Sequence, residues 1–227
     1  MQDPVFVHDA FAKIAKRYDL TNHVLSLGTD MLWRRKVAGI VSRFEPKNLL
    51  DVATGTGDLA AEISRRCPGI AITGLDFSEQ MLDIARTRKI PGLNLVHGDA
   101  MKMPFAAGTF DAVTSAFGLR NLSSWGDAIW EMARVTRSGG HLIIFDFSLP
   151  QNVLMRGPYR FYLHRLIPRV AGLITGHREA YSYLAGSIET FPSGESMCDL
   201  IKANGWINAR AIPVSMGIAT IYTAERP

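Results

Sequence analysis

The sequence predicts an α/β chain folded as a doubly wound, mostly parallel sheet. Three observations lead there. Apolar strand-like runs alternate with amphipathic helical patterns across residues 48–148, and such alternation calls for crossover connections between parallel strands. The stretch Asp51-Val52-Ala53-Thr54-Gly55-Thr56-Gly57-Asp58 follows apolar Leu49-Leu50 and leads into Leu59, Ala60 and Ile63, which reads as strand, glycine turn and helix. Carboxylates then recur at three successive strand ends, as Asp51, Asp76 and Asp99.

Residues 1–47 are expected to form a helical element with aromatic and basic residues: Phe6, Phe11, Tyr18, Trp33, Arg34 and Arg35. The predicted strands of the core are 48–53, 70–76, 93–97, 110–116 and 140–147, with helices near 58–66, 78–89 and 125–136. Gly139-Gly140 is expected to end the last of these helices. Pro150, Pro158, Pro168 and Pro192 then interrupt the alternation, so 149–192 is expected to be an inserted helical cap. A helix over 194–204 stops at Asn204-Gly205. The runs 207–214 and 217–224, parted by Ser215-Met216, predict an antiparallel edge hairpin that completes a seven-stranded sheet. We therefore expect one domain over 1–227: helical element 1–47, cofactor-binding core 48–148, lid 149–192, and helix plus hairpin 193–227.

The 227 residues are 47% apolar and 20% charged, as in a globular protein. No apolar run reaches the ~18 residues that a membrane span needs, and Met1–Tyr18 shows no signal-peptide core. Cys67 and Cys198 lack metal or redox spacing, which fits a reducing, cytoplasmic setting. A net charge of +4 favours acidic partners or anionic membranes only weakly.

Gly55-Thr56-Gly57-Asp58-Leu59-Ala60 also matches a loose dinucleotide fingerprint. Glycines 55 and 57 allow a tight turn and close approach of a ligand, and the helix from Asp58 offers backbone N–H groups. Asp76, about 20 residues further on, suits ribose hydroxyls in either reading. Asp51 before the glycines can meet a cationic amino-acid group, and Asp99 in His97-Gly98-Asp99-Ala100 can accept from an adenine amine. Three acids around the turn suit S-adenosylmethionine and suit a pyrophosphate poorly. Asp51 could otherwise cap the turn, and Asp76 the helix at Ser78-Glu79. No metal cluster is visible in the sequence, and methyl transfer from a sulfonium needs none.

Longer blocks carry a resemblance. These are Phe11-Ala12-Lys13-Ile14-Ala15-Lys16-Arg17-Tyr18-Asp19-Leu20-Thr21-Asn22, Leu25-Ser26, Trp33-Arg34-Arg35, Gly74-Leu75-Asp76-Phe77-Ser78, Met81-Leu82, Pro104-Phe105, Phe110-Asp111, Phe117-Gly118-Leu119-Arg120-Asn121, Arg134-Val135, Phe191-Pro192 and Gly217-Ile218-Ala219. The chain resembles the quinone C-methyltransferases of menaquinone and ubiquinone biosynthesis, from about residue 6 to 224. That resemblance implies a Rossmann-like, class I S-adenosylmethionine-dependent methyltransferase fold. It implies cofactor contacts at Thr56, Asp76, Asp99 and Ala100, and active-site roles for Arg120 and Asn121; Asp51, Gly55, Gly57 and Phe77 are expected beside them, and Ala116 through its backbone. Departures from the family pattern are Ala116 for a usual serine (Ser115 precedes it), Asp30 for histidine, Thr21 for methionine and Asp146 for glutamate.

The expected activity is ring methylation of a demethylated isoprenoid quinol, with demethylmenaquinol ahead of the ubiquinone precursor. Arg120 stays charged, so it can stabilise a phenolate or orient a water but cannot act as an ordinary base. Asn121 can hold the substrate oxygen. Arg120 could otherwise pair with Asp127 or Glu131 on the next helix. Tyr18, Tyr181 and Tyr183 are candidate substrate contacts, and His164 and His177 candidate bases. Arg156, Arg160, Arg165, Arg169 and Arg178, interleaved with Tyr159, Phe161, Tyr162 and Leu163, suggest a lid touching an anionic membrane, or a solvated cap. No nucleic-acid role is expected: the charge is modest and the Pro-Pro-Tyr or Pro-Pro-Phe run of amino-group methyltransferases is missing. A homodimer, an O- or N-methyltransferase, a non-catalytic pathway scaffold and a dehydrogenase stay open as alternatives.

Overall fold

The computed structural model describes residues 28–166, 168–169 and 185–227. The elements, in chain order, are α1 (Thr29–Val41), β1 (Asn48–Val52), α2 (Asp58–Arg66), β2 (Ala71–Asp76), α3 (Glu79–Thr87), β3 (Leu93–His97), β4 (Phe110–Ala116), α4 (Trp125–Val135), β5 (Thr136–Phe147), α5 (Val153–Phe161), α6 (Glu195–Ala203), β6 (Ile207–Val214) and β7 (Ala219–Glu225). They build a seven-stranded sheet in the order β3-β2-β1-β4-β5-β7-β6. β1 to β5 pair in parallel; β7 runs antiparallel between β5 and β6.

The predicted edge hairpin forms, with Ser215–Gly217 as its turn, but only β6 lies at the edge. The other predicted strands match within a residue or two except at one place. β5 begins at Thr136, directly after α4, rather than at residue 140. Gly139-Gly140 does not cap the helix. It sits in a bulge, where the register jumps from Phe110↔Thr136 to Ala112↔His141. Gly139 takes φ +71, and a Cβ on Gly140 would come within 2.8 Å of the Asp111 carbonyl. A glycine pair marks a backbone that must turn tightly, and here the strand itself makes that turn.

Both sheet faces are covered, so the strands read as apolar runs instead of alternating. One face packs on α4 and α6 through Leu50, Val113, Leu142, Ile129, Met132 and Ile201. The other packs on α1 and α2 through Leu49, Ala112, Ile143, Val37, Val41 and Ile63. The apolar spacing of α2 (Leu59, Ala60, Ile63) and α3 (Met81, Leu82, Ala85) turns one stripe of each helix inward. Ser78 and Ser124 cap α3 and α4 by accepting from Met81 and Asp127 N–H groups. Within the 149–192 stretch, Tyr159, Leu163, Ala185 and Ile188 form a small separate core against Phe147 and Ile218.

The strand order decides where a ligand can sit. From β1 the chain winds outward through β2 and β3, then crosses back to β4 and β5 on the other side. Connections therefore diverge between β1 and β4, and the crevice beyond their carboxyl ends stays open.

Candidate active site

A cavity of about 300 Å³ occupies that crevice, lined by Arg34, Asp51, Ala53, the 54–56 turn, Asp58, Asp76-Phe77-Ser78, the 98–101 loop and the 116–118 and 121–123 segments, among others. Volumes of about 300–1,000 Å³ are typical of small-molecule sites.

The floor is built on β1. Asp51 stands in register with Gly74 of β2 and Thr114 of β4. Its Oδ2 accepts from the Thr54 hydroxyl at 2.7 Å, and its Oδ1 from the Thr114 hydroxyl at 2.6 Å. The residue is 1% exposed, yet it lines the cavity. Burial pushes its carboxyl up to about 6, helped by the nearby Asp76 charge. A carboxylate this short of solvent calls for a cation.

The glycine turn rises from β1. Gly55 N–H donates to Asp76 Oδ2 at 2.7 Å, and Gly57 N–H to the Thr54 carbonyl at 2.9 Å. Both glycine amides are thus used within the protein; the amides that the sequence offered to a ligand are those of the helix from Asp58. Gly57 adopts φ +83, and a Cβ there would meet Ile90 Cδ1 at 2.9 Å, so only glycine fits. Asp58 adds a negative charge at the first turn of α2. Spent amides and an acid at the helix start oppose a pyrophosphate.

Asp76, at the end of β2, also accepts from Ser78 N–H at 2.9 Å. Burial pushes its carboxyl upward while these backbone donors oppose that. Asp76 does not cap α3; Ser78 does. Phe77 is 57% exposed and stacks on His97 with ring centroids 5.9 Å apart. Beyond β3, Asp99 Oδ1 accepts from Met101 N–H at 2.8 Å, which fixes the loop holding buried Ala100. At the end of β4, Ala116 lines the cavity and Ser115 does not. The Ser115 hydroxyl is buried, with no hydrogen-bond partner among the described residues.

The Phe117–Asn121 turn closes the far wall. Phe117 adopts φ 58, a strained value for a bulky side chain. A Cβ on Gly118 would come within 2.4 Å of Ala53 Cβ, so this turn lies directly on the glycine turn. Arg120 is 3% exposed and does not line the cavity. Its carboxylate partner is Asp146 of β5, at 2.7 Å, rather than Asp127 or Glu131; Glu131 pairs with Arg134. Arg120 Nη1 also donates to the Phe117 carbonyl at 2.6 Å. Asn121 lines the cavity, and its Oδ1 is buried without a partner among the described residues. Its Nδ2 donates to the Phe117 carbonyl at 3.3 Å.

Sequence reasoning assigned no role to Arg34 or Asp58, both of which line the cavity. The signal for Arg34 was present: a charge on the same stretch of α1 as buried Trp33, Val37 and Ala38. Tyr18, Tyr181, Tyr183 and His177 lie outside the described residues. His164 faces Glu189 at 3.2 Å and is half exposed. Among the described residues no group of three or more His, Cys, Asp or Glu side chains could hold a metal ion, and no helix is long and apolar enough to cross a membrane.

Acids ringing one cavity, with Asp58 at the helix start, point to a cationic nucleoside carrying an amino acid. Comparison with known proteins agrees. A model of the ubiE/COQ5 methyltransferase family matches residues 2–226. The chain belongs to this family. It is an S-adenosylmethionine-dependent methyltransferase. A Thermus thermophilus protein named demethylmenaquinone methyltransferase is 41% identical over 220 residues, 96% of this chain and all of that one. A Deinococcus radiodurans protein of the same name is 40% identical over 223 residues, 97% of this chain and 92% of the relative. Among solved structures, a Thermotoga maritima SAM-dependent methyltransferase, described as a possible histamine N-methyltransferase, superposes with TM-score 0.70 at 17% identity, covering 97% of this chain and 100% of that one. At that identity it supports the shared fold alone. The family member therefore has the class I methyltransferase fold expected of its sequence, with β7 inserted antiparallel.

Proposed function

We propose that this methyltransferase transfers the S-adenosylmethionine methyl group to a ring carbon of demethylmenaquinol, giving menaquinol and S-adenosylhomocysteine. The observation that carries the reading is near-full-length identity of about 40% to relatives named demethylmenaquinone methyltransferase. The cavity fits the cofactor. Asp51 takes the ammonium group, Asp76 the ribose hydroxyls and Asp99 the adenine amine, while Phe77 lies against the adenine and Gly55, Thr56, Gly57, Ala100 and Ala116 give the backbone surface.

Deprotonating a hydroquinone oxygen pushes an electron pair onto the neighbouring ring carbon. That carbon bonds to the methyl as the carbon–sulfur bond breaks, and the pair returns to sulfur. Loss of the ring proton restores the aromatic ring and the quinol oxygen takes a proton back, so one proton in total is released to solvent per turnover. The protein aligns carbon, methyl and sulfur, holds the quinol oxygen and keeps water out. Asn121 is suited to hold the oxygen because the residue lines the cavity and carries an amide with a second N–H donor. Arg120 acts from behind: it fixes the Phe117 carbonyl and its charge favours a phenolate, damped by Asp146.

The described part of the 149–192 segment, α5 and the residues just after it, is suited to contact a membrane surface. Support comes from α5, where Val153 and Leu154 are 77% and 83% exposed beside exposed Arg156, with exposed Phe161, Arg165 and Arg169 following. A tail-bearing quinol resides in lipid, and this face suits an anionic surface. Labelled S-adenosylmethionine supplied with reduced demethylmenaquinone, or with the benzoquinol precursor of ubiquinone, tests the assignment. Label on the menaquinol ring carbon is expected. Label on oxygen, or on the benzoquinol alone, overturns it.

A further inference from the structure

The charge balance of the cavity is uneven. Among its described lining residues, Asp51, Asp58, Asp76 and Asp99 are acids and Arg34 is the one cation. The proposed cofactor has two positive centres, the sulfonium and the ammonium, and one negative, the α-carboxylate. The acids can serve the first two. The carboxylate needs a donor, and the obvious backbone donors of the turn, Gly55 and Gly57 N–H, are already used by Asp76 and the Thr54 carbonyl.

Arg34 is held in place to supply one. It projects from α1, which is anchored by buried Trp33 and Val37 and by the Trp33 indole donating to the Ser215 hydroxyl at 2.9 Å. Its Nη1 pairs with Asp30 one turn earlier, and its guanidinium lies 5.5 Å from the Phe117 ring centroid. Its Nη2 reaches Asp58 only loosely, at 3.5 Å. Asp58 does not depend on that contact, because Arg88 pairs with it at 2.5 Å and also donates to the Thr56 carbonyl. The Arg34 side chain is 12% exposed, so its charge is poorly screened, and it is among the charges felt by Asp51. In an amino acid the ammonium and carboxylate leave the same carbon. A carboxylate ligand must therefore stand close to the ammonium ligand, and Arg34 and Asp51 line one cavity.

We propose that Arg34 is the ligand of the cofactor's α-carboxylate, with Nη2 moving from Asp58 to the carboxylate while Asp30 and Phe117 hold the rest of the guanidinium. This deepens the reading above and rests on it. Arg34 and Asp51 then act as a pair that selects an intact amino-acid end, and analogues lacking the carboxylate are discriminated against.

Calorimetry with S-adenosylhomocysteine and with its decarboxylated analogue tests this on the whole chain. The wild type is expected to prefer S-adenosylhomocysteine, and Arg34→Gln to weaken that ligand about 10- to 100-fold, the loss of a charge-assisted hydrogen bond. The decarboxylated analogue should change less than about threefold, so the preference collapses. Arg34→Lys keeps the charge but cannot hold Asp30 and the carboxylate with separate nitrogens, and should retain part of the preference. If Arg34→Gln folds poorly because Asp30 has lost its cationic neighbour, Asp30→Asn combined with Arg34→Gln carries the same comparison. Equal losses for both ligands, or no loss for either, overturn the role of Arg34. A wild type that binds neither ligand overturns the cofactor reading instead.

Discussion

Arg120 and Asp146 form an ion pair buried at the join of the Phe117–Asn121 turn and β5. Their side chains are 3% and 0% exposed and 2.7 Å apart, and the Arg120 backbone N–H points at the same carboxylate at 3.3 Å. The pair fixes a strained turn that forms one cavity wall. Arg120→Ala should leave a buried uncompensated carboxylate and cost about 3–5 kcal/mol of stability. Combining it with Asp146→Ala should recover much of that loss in chemical denaturation. If Arg120 contributes only structure, turnover recovers too. If its charge acts on the reaction, turnover of the double variant stays low while S-adenosylhomocysteine still binds, which is the expected result.

Asp51 sets a pH dependence. Its carboxyl is pushed up to about 6 in the folded chain, from an ordinary 3.8. The folded state therefore holds its proton more tightly than the unfolded state, and Asp51's contribution to stability declines as pH rises between those values. Binding a cation reverses the preference, because the ammonium favours the ionised form. Cofactor affinity should be level above about pH 6 and fall toward tenfold per pH unit below it. Calorimetry across pH 5–8 checks this. Asp51→Asn should bind weakly and without the slope; a slope that persists in that variant removes Asp51 from the explanation.

Asn121 keeps a buried carbonyl oxygen without a partner among the described residues, a cost of about 1–3 kcal/mol for such a group. A polar group retained at that cost fits a ligand contact. Asn121→Leu should hold or raise thermal stability, leave cofactor affinity within about twofold and lower kcat at least tenfold. Melting curves and methyl-transfer kinetics decide it, and undiminished kcat would falsify the contact.

Gly118 packs against Ala53, where an added Cβ would lie 2.4 Å from Ala53 Cβ. Gly118→Ala must push the two cavity turns apart. Stability should fall by about 1–3 kcal/mol, and cofactor affinity should fall with it, because both turns line the site. Urea denaturation and calorimetry on one preparation test the linkage; a stability loss with unchanged affinity would show the turns moving independently.

Vesicles test the α5 face. Binding should rise with anionic lipid and fall with salt, and Val153→Asp with Leu154→Asp should weaken it about tenfold or more. Binding indifferent to lipid charge counts against the membrane contact.

Much was legible from local pattern. Glycines and acids announce themselves by type and spacing, so the turn at 55–57 and the acids at 51, 76 and 99 could be read one residue at a time. The bulge at Gly139-Gly140 could not. A glycine pair after a helix reads as a cap, and only the pairing of Phe110 with Thr136 shows that the strand has already begun. Arg120 shows the same difficulty at the site: its nearest acid along the chain, Asp127, lies on α4, yet its partner comes from β5, 26 residues away.

By itself, then, the sequence determined the parallel winding, the glycine turn, the carboxylates at three strand ends and the family. Period, residue type and spacing are local quantities that survive unfolding. Tertiary structure decided that the Gly55 and Gly57 amides are used within the protein, that Asn121 lines the cavity while Arg120 stands behind it, that Ala116 and not Ser115 lines it, and that Arg34 is brought from α1 to the same cavity. Those outcomes depend on burial and on contacts between segments far apart in the chain, and they exist only once the two faces of the sheet have been packed.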